Sequence, residues 1–312
     1  MKPLNELRAL YDSELAPILA EIQVALAAAK KKAWSLFPIL FLILFLVVMV
    51  FSSVWLLSII IAFIGAAGTA IICYHLCRRK QTRLFKDVVT RKIVAVVTPE
   101  MHYDKEKFIP KEQFQKSGIY RQTISRYSGE DGFFGKYEGV DLMFSEVHAE
   151  ERRTSTDSKG RTTTSYVTIF KGVFFIADFN KDFRTSTFVF PSVGWRWLKK
   201  LGTPSGTKLI TLECPDFEKM FAVYAQDAIE ARYILTPNIM ERMMAIQRRF
   251  PGDVAFAFHA SAIYIAIPSS TDFFEIPRTL DFSGITALYN EFALFFNLVH
   301  EMNLTLRIWT KQ

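Results

Sequence analysis

The chain has 312 residues, a formal net charge of +7 and three cysteines, two of which lie in one long apolar segment. Three cysteines exclude a disulfide framework and suit a reducing compartment. The positive charge does not indicate binding to nucleic acid. Seven basic residues lie between Arg78 and Lys92, directly beside the apolar segment. If that segment lies in a membrane, the membrane topology and the attraction of anionic lipid headgroups account for these residues.

Residues 1–33 are predicted to form a cytoplasmic amphipathic helix. Apolar side chains recur every three or four positions, at Leu4, Leu7, Tyr11, Leu15, Ile18, Ile22 and Leu26. This spacing has a period near that of an α-helix. Pro17 is expected to kink or interrupt the helix. The stripe predicts packing on the chain's own cytoplasmic domain or on the helix after the apolar segment, with self-association as the alternative.

Residues 34–77 contain no Asp, Glu, Lys or Arg. As one helix they would be about 66 Å long, about twice the thickness of a bilayer's hydrocarbon core. The only adjacent polar pair in the middle is Ser52-Ser53. We therefore predict a two-helix transmembrane hairpin with arms 34–51 and 54–77 and a very short turn.

The second arm carries small residues at helical spacing: Ala62, Gly65, Ala66, Gly68, Thr69 and Ala70. Such spacing lets two helix backbones approach closely. These residues are expected to contact the first arm of the same chain, and a homodimer contact is the alternative.

Basic residues flank the hairpin on both sides, at Lys30, Lys31, Lys32, Arg78, Arg79, Lys80, Arg83 and Lys86. A hairpin brings both flanks to one membrane face, and Lys and Arg stay cytoplasmic. The sequence therefore predicts a multi-pass protein of the inner (plasma) membrane with both termini and most of the chain cytoplasmic. The same eight residues, which we call the basic cluster, are expected to contact anionic lipid headgroups.

Residues 78–99 are predicted to continue as a juxtamembrane helix that Pro99 stops and that pairs with the N-terminal helix. Residues 100–312 form the cytoplasmic domain, either whole or as two lobes, 100–203 and 204–312. Helices are expected at 111–116, 227–235, 237–250 with Thr236 as N-cap, and 284–302 with Ser283 as cap.

Strands are expected at 134–144, 145–150, 166–179, 185–190, 208–214, 219–225, 254–258, 262–267, near Phe273, and at 304–309. Strands precede helices in blocks and do not alternate with them in βαβ units. This order predicts an α+β fold with a largely antiparallel sheet. Residues 150–165 lack apolar side chains and are expected to form a mobile hairpin tip.

Several stretches resemble a bacterial two-span membrane family known as domain of unknown function 3137. They are Tyr127-Ser-Gly-Glu-Asp131 with Gly135, Phe144-Ser-Glu146, Phe170-Lys-Gly172 with Phe174-Phe175-Ile-Ala-Asp178-Phe179, and Asp216-Phe217-Glu218 through Phe221, Val223, Tyr224 and Asp227 to Ala231-Arg232-Tyr233-Ile-Leu235-Thr236-Pro237. The resemblance implies a membrane protein with a cytoplasmic α+β domain and no assigned activity. It supplies no catalytic residues.

No segment has the spacing of a catalytic, nucleotide or metal motif, so we predict no catalytic residues, cofactor or metal. The carboxylates Glu130, Asp131, Glu138, Asp141 and Glu146 are the one group in reach of a divalent cation; solvated or salt-bridged surface is the alternative. Arg232 and Tyr233 could form a partner or ligand groove, unless Arg232 pairs with Glu218. Phe273, Phe274, Phe292, Phe295 and Phe296 are expected in the core, with a lipid pocket as the alternative.

The sequence therefore predicts a membrane-tethered module, without catalysis, that binds an unknown protein partner, a lipid headgroup or itself. Glu130, Asp131, Glu146, Arg232 and Tyr233 are its candidate site. One alternative is a membrane-associated hydrolase of lipid or envelope intermediates that uses the three carboxylates. Another is a small oligomeric channel or transporter subunit, although the arms lack an intramembrane charge to mark a pathway.

Overall fold

The computed structural model describes residues 4–51, 55–179, 181–192, 204–302 and 304. The chain divides into two compact units. The helical unit contains Lys2–Ile93 and Glu275–Tyr289, and the sheet unit contains Val94–Phe274 and Asn290–Gln312. The second unit therefore begins six residues before the predicted domain start at 100, and a short segment late in the chain belongs to the helical unit.

The helical unit is built on α1 (Leu4–Leu10), α2 (Ala16–Phe51), α3 (Trp55–Phe85) and α4 (Arg91–Val97), of which α4 ends in the sheet unit. Two π turns, Tyr11–Leu15 and Lys86–Thr90, connect α1 to α2 and α3 to α4. Helix α2 runs without a break from the predicted amphipathic segment into the predicted first arm. Lys92 forms an ion pair with Glu14, which joins the two ends that lie outside the hairpin.

The interruption predicted at Pro17 takes the form of the first π turn. The Ala16 N–H donates to the carbonyl of Tyr11, five residues earlier. Proline has no N–H, and its ring strikes the carbonyl four residues back in a regular α-helix. A wider π turn just before the proline relieves this conflict, so the helix continues with a local irregularity.

Helices α2 and α3 pack against each other through small residues. A Cβ on Gly65 would lie 3.0 Å from Leu44 Cδ1, and Ala62 and Ala66 are fully buried. The Phe37 and Phe63 rings also meet, with centroids 5.6 Å apart. The small residues at these three positions thus contact the chain's own first arm, as predicted. The turn between the arms lies outside the described residues.

Leu4–Met49 and Ile59–Val96 are long and apolar enough to cross a membrane. In the most apolar 18-residue stretch of each segment, only 6% and 11% of the residues, respectively, are buried. The core helix of a soluble protein would bury most of such a surface.

In the part of the sheet unit that the structure describes there are nine strands: β1 (Met101–Asp104), β2 (Arg126–Tyr137), β3 (Val140–Thr156), β4 (Thr162–Asp178), β5 (Thr187–Pro191), β6 (Lys208–Ile210), β7 (Phe221–Ala225), β8 (Ala255–His259) and β9 (Ala262–Pro268). Their order is β1-β2-β3-β4-β9-β8-β5-β7-β6, and every neighbouring pair is antiparallel. The predicted α+β class with an antiparallel sheet is confirmed. Because β9 and β8 lie between β4 and β5, the two halves share one sheet and do not form separate lobes.

Among the described residues, the part of the chain after α4 also contains five helices: α5 (Lys111–Lys116), α6 (Pro215–Met220), α7 (Ala228–Ile234), α8 (Pro237–Arg249) and α9 (Phe282–Glu301). The Thr236 hydroxyl caps α8 as predicted, since it accepts from the Ile239 N–H. The cap of α9 differs from the prediction, because Asp281 Oδ1 accepts from the Gly284 N–H at 3.0 Å and Ser283 lies inside the helix.

Aromatic residues fill the core on both faces of the sheet. Phe174 and Phe175 are successive in β4 and so point to opposite faces. Phe174 lies 4.7 Å from Phe114 of α5, centroid to centroid. Phe175 lies 6.1 Å from Phe144, which in turn contacts Phe295 and Phe296 of α9. Phe274, Phe292, Phe295 and Phe296 are fully buried, so the core interpretation is correct for these four residues. Phe273, the fifth member of the predicted group, is only partly buried, and its ring centroid lies 5.2 Å from that of Phe295.

Several local predictions differ from the structure. The strand predicted at 134–144 is interrupted by a turn, because β2 ends at Tyr137 and β3 begins at Val140. The segment 150–165 is mostly paired strand, with register continuing to Thr156↔Thr162, because backbone hydrogen bonds need no apolar side chain. Residues 215–220 form α6, with Pro215 in its first turn. The strand predicted to begin at 219 therefore begins two residues later, at Phe221. Phe274 has φ of 55° and lies in no strand. The strand predicted at 304–309 lies almost entirely outside the described residues.

Candidate functional site

Three of the predicted carboxylates converge at the β2–β3 pair. Glu130 and Glu146 are direct partners across the two strands. The register shifts just after Glu130, and Asp131 has φ of 54°, a left-handed conformation that Asp tolerates. One oxygen from each of Glu130, Asp131 and Glu146 lies within 4.8 Å of the others. The bulge explains this convergence, since two successive residues of a regular strand would face opposite sides.

The three carboxylates differ in environment. Asp131 is fully buried, whereas Glu130 is exposed. The Tyr103 hydroxyl donates to Asp131 Oδ1 at 2.5 Å. Glu146 is 8% exposed, and its Oε1 accepts from the Phe273 N–H.

The pKa of Glu146 is raised to about 8, and burial is the largest cause. The negative charges of Asp131, Asp272 and Glu130 also contribute to the rise, while the hydrogen bond from the Phe273 N–H opposes it. A carboxyl group with this pKa carries its proton at neutral pH. The proton reduces the repulsion that three adjacent carboxylates would otherwise produce.

A cleft of about 370 Å³ opens over Glu130 and Glu146 and also receives Lys171 and Asp272. Lys171 Nζ lies 2.9 Å from Asp272 Oδ1. This hydrogen bond and the charge of Asp272 raise the pKa of Lys171. The cleft therefore combines an exposed carboxylate, a protonated buried carboxyl group and an ammonium–carboxylate pair.

Glycine allows the strands to form the floor of this cleft. Gly172 has φ of 146°, and a Cβ there would lie 2.1 Å from the carbonyl oxygen of Ile267 on β9. A Cβ on Gly129 would lie 2.3 Å from the carbonyl oxygen of Glu146. Any other residue at either position would push the strands apart.

The arrangement can do two kinds of chemistry. Three carboxylate oxygens at this separation are ligands that hard cations such as Mg²⁺, Ca²⁺ or Mn²⁺ accept. Glu146 can also exchange a proton close to neutral pH beside the exposed Glu130, as general acid–base chemistry requires.

The other two predicted carboxylates lie apart from the cleft. Glu138 Oε1 is 3.0 Å from His300 Nε2, and Asp141 is 3.4 Å from Lys136 Nζ. Both pairs are exposed, the first a hydrogen-bonded contact with an imidazole and the second an ion pair, so the surface interpretation is correct for these two residues.

Arg232 and Tyr233 of α7 do not line the cleft. Arg232 Nη2 donates to the Thr211 carbonyl at 3.2 Å, while Glu218 Oε1 accepts from the Leu212 N–H at 2.7 Å. The predicted ion pair is therefore wrong, because each side chain bonds the main chain instead. Lys181 Nζ lies 3.3 Å from the centroid of the Tyr233 ring.

Seven members of the basic cluster are exposed, namely Lys30, Lys31, Lys32, Arg78, Arg79, Lys80 and Arg83. The eighth, Lys86, is buried, and its Nζ lies 2.7 Å from Glu275 Oε1. Its expected contact with lipid headgroups is therefore wrong. The ammonium lies in the second π turn and contacts a carboxylate that is distant in sequence.

Sequence reasoning missed Lys171 and Asp272 as members of the site. Lys171 lies in the Phe-Lys-Gly stretch that carries the family resemblance, and this was the only available signal. Asp272 lies about a hundred residues further along the chain, in a segment whose composition indicates only a loop.

Comparison with known proteins gives one family and one solved structure. Residues 168–304 match the family model described as "Protein of unknown function (DUF3137)". No curated protein matches the chain. The crystal structure of the mycobacterial trehalose monomycolate transport factor A, TtfA, is similar at 11% identity and a TM-score of 0.36, over 71% of this chain and 96% of that chain.

The family match begins inside β4 and covers most of the remaining chain. The resembling stretches between Tyr127 and Glu146 precede it. The resemblance found in the sequence is confirmed: over residues 168–304 this chain has the sequence pattern of the DUF3137 family, whose function is unknown.

Proposed function

We propose that the protein is a membrane-anchored binding module. In this proposal α2 and α3 insert into the bilayer and hold the sheet unit at the cytoplasmic face, where it binds a partner without catalysis. The observation that carries the proposal is the exposure of the apolar helix surfaces, which are only 6% and 11% buried in their most apolar windows.

Transfer energetics support insertion. Large apolar side chains such as Leu42, Leu46 and Ile64 are more than half exposed. Each such residue near mid-membrane favours insertion by about 0.3 to 0.6 kcal/mol. The first arm contains 14 Leu, Ile, Phe or Val residues between Leu36 and Phe51 and no charge, so nothing offsets their sum.

Charge distribution supports the orientation. Lys30 and Tyr74 line one groove, so the basic residues next to them lie at the same end of the hairpin. Lys and Arg near membrane ends stay cytoplasmic. The sheet unit follows the second basic run, which places it on that side in the proposal.

Cysteine labelling tests both parts of this proposal. Thr163 lies in the exposed β3–β4 hairpin, and Ser53 lies in the turn that the sequence predicts between the arms. In a chain with Cys73, Cys77 and Cys214 replaced by Ser, we expect Thr163→Cys to react with an impermeant maleimide only after lysis. The matched Ser53→Cys variant should react in intact cells. Labelling of Thr163→Cys from outside, or release of the chain by alkaline carbonate, would overturn the proposal.

The second candidate is a membrane-associated hydrolase. The observation that favours it is the cleft itself, where Glu146 with a raised pKa lies beside the exposed Glu130. A carboxyl group that keeps its proton near neutral pH can act as the general acid of hydrolysis.

Turnover measurements separate the two candidates. The full-length protein in nanodiscs is assayed on nitrophenyl phosphate, nitrophenyl acetate and nitrophenyl glycosides. A hydrolase should lose about 100-fold or more of its rate in Glu146→Gln, with an alkaline limb near pH 8 in the wild type. If the wild-type protein hydrolyses every substrate at the same rate as the Glu146→Gln variant, the result supports the binding module.

A further inference from the structure

A groove between α2 and α3 has no role in the functions proposed above. Its volume is about 500 Å³, and it is lined almost entirely by apolar side chains, with Lys30 at one end. This volume lies within the range of sites that bind small molecules. Both walls belong to the helical unit.

Small residues create the groove, and aromatic residues bound it. Ala67 and Ala70 of α3 leave the space that larger side chains would fill. Phe37 and Phe63 meet at one end, 5.6 Å between centroids, and Tyr74 lies towards the other end.

The groove extends over part of one leaflet. Its lining runs on α3 from Phe63 to Tyr74, eleven residues or about 16 Å, and on α2 from Lys30 to Phe37, seven residues or about 10 Å. These lengths are about a third to a half of a hydrocarbon core of about 30 Å. The groove therefore lies in the leaflet next to the basic residues.

We propose that this groove binds one acyl chain of an anionic phospholipid, whose phosphate contacts Lys30. The proposal rests on the membrane insertion proposed above. An apolar groove facing hydrocarbon excludes water and is filled by apolar chains, since an unfilled void loses its dispersion contacts. The acyl chain of a lipid in the adjacent leaflet has the shape and polarity of the groove.

Charge complementarity selects the headgroup. Lys30 is followed by Lys31 and Lys32, and Arg78 comes four residues after Tyr74 on the opposite wall. Residues 22–86 contain no Asp or Glu, so no carboxylate in this stretch repels a phosphate. An exposed ammonium beside an apolar groove is the arrangement that a lipid with an anionic headgroup requires.

The number of lipids that stay bound to the protein in detergent measures whether the groove is occupied. The full-length protein is placed in nanodiscs of mixed dioleoyl phosphatidylglycerol and dioleoyl phosphatidylcholine, released into detergent, and weighed by native mass spectrometry. We expect one phosphatidylglycerol to remain bound. A phosphatidylglycerol with a mid-chain diazirine should crosslink to Phe37, Phe63 or Ile71.

Two pairs of variants locate the lipid. Ala67→Leu with Ala70→Leu fills the groove and should abolish retention and crosslinking. The control Gly68→Leu adds a leucine side chain to the same helix where a Cβ meets no atom within 4 Å, and it should retain the lipid. Lys30→Gln should reduce the preference for phosphatidylglycerol about fivefold, whereas Lys32→Gln, outside the groove lining, should change it much less.

The outcomes separate this inference from the function on which it rests. A protein that fails to enter nanodiscs overturns the anchoring and the groove proposal together. A protein that enters nanodiscs but retains phosphatidylglycerol equally in all four variants overturns the groove proposal alone. A dimer that disappears in the groove-filling variant would identify a second copy as the occupant and also overturn the lipid proposal.

Discussion

The hydroxyl of Tyr103 and the carboxylate of Asp131 are joined by a hydrogen bond of 2.5 Å that connects β1 to the bulge of β2. Asp131 is fully buried and has a left-handed backbone. A buried polar group is tolerated when it has hydrogen-bond partners. This bond therefore helps to hold the bulge that directs Glu130 and Asp131 to the same site.

Tyr103→Phe removes the hydroxyl and should destabilise the sheet unit. Loss of one partner of a buried carboxylate costs about 1–3 kcal/mol. Denaturant unfolding of the full-length protein in detergent, followed by tryptophan fluorescence, measures the loss. Tyr166→Phe, at an exposed tyrosine, is the control and should change stability by less than about 0.5 kcal/mol. Equal stability of the two variants would show that the bond does not support the bulge.

The raised pKa of Glu146 predicts that stability falls with rising pH. In the folded state this pKa is about 8, against 4.5 for an unperturbed glutamate. Between these values the folded state binds the extra proton, so unfolding becomes easier as pH rises from about 4.5 to about 8 and then levels off. The total change from this one group is of the order of a few kcal/mol.

Glu146→Gln tests the pH dependence because glutamine keeps the shape and the acceptor for the Phe273 N–H without titrating. Unfolding free energy is measured from pH 5 to pH 9. We expect the variant to be more stable than the wild type at pH 9 and to have a flatter profile. Asp141→Asn, at an exposed pair, should follow the wild type. A wild-type profile unchanged by Glu146→Gln would contradict the assignment.

The ion pair of Lys86 and Glu275, 2.7 Å apart, joins a buried ammonium to a carboxylate that is 40% exposed, and it predicts a measurable effect of removing one partner. Glu275→Ala removes one hydrogen-bonded partner of the buried ammonium, which should destabilise the protein by about 1–3 kcal/mol. The combined Lys86→Met and Glu275→Leu replacement should recover most of this loss. Thermal unfolding measures both. The exposed Lys136→Ala serves as control, and a milder effect of Glu275→Ala than of this control would refute the prediction.

The hairpin contact predicts different effects at two glycines of α3. Gly65→Leu introduces a side chain where a Cβ already meets Leu44 at 3.0 Å, so overpacking should cost about 1–3 kcal/mol. Gly68→Leu has open space and should be tolerated. Thermal denaturation in detergent compares the two. The reverse order would mean that Gly68, and not Gly65, lies in a packed interface.

Local patterns determined much of the fold. The uncharged segment specified two long apolar helices because backbone groups in an apolar solvent must bond within one segment. The helix at 111–116 and the helix after Thr236 were predicted correctly, since caps and prolines act within one turn. Alternation of apolar residues and block order specified an antiparallel sheet.

Only the tertiary structure decided which residues form the cleft. Strand pairing brings Glu146 opposite Glu130, a bulge turns Asp131 to the same side, and Asp272 comes from a segment about a hundred residues beyond Lys171. The sequence predicts Lys86 as one more charge beside the membrane. In the structure it is buried and pairs with Glu275, a residue distant in the sequence. Helix caps and hydrophobic periods depend on neighbours a few residues apart, whereas register, bulges and buried ion pairs depend on contacts between distant segments. A single sequence therefore specifies the elements of this protein, and the packing of those elements specifies its site.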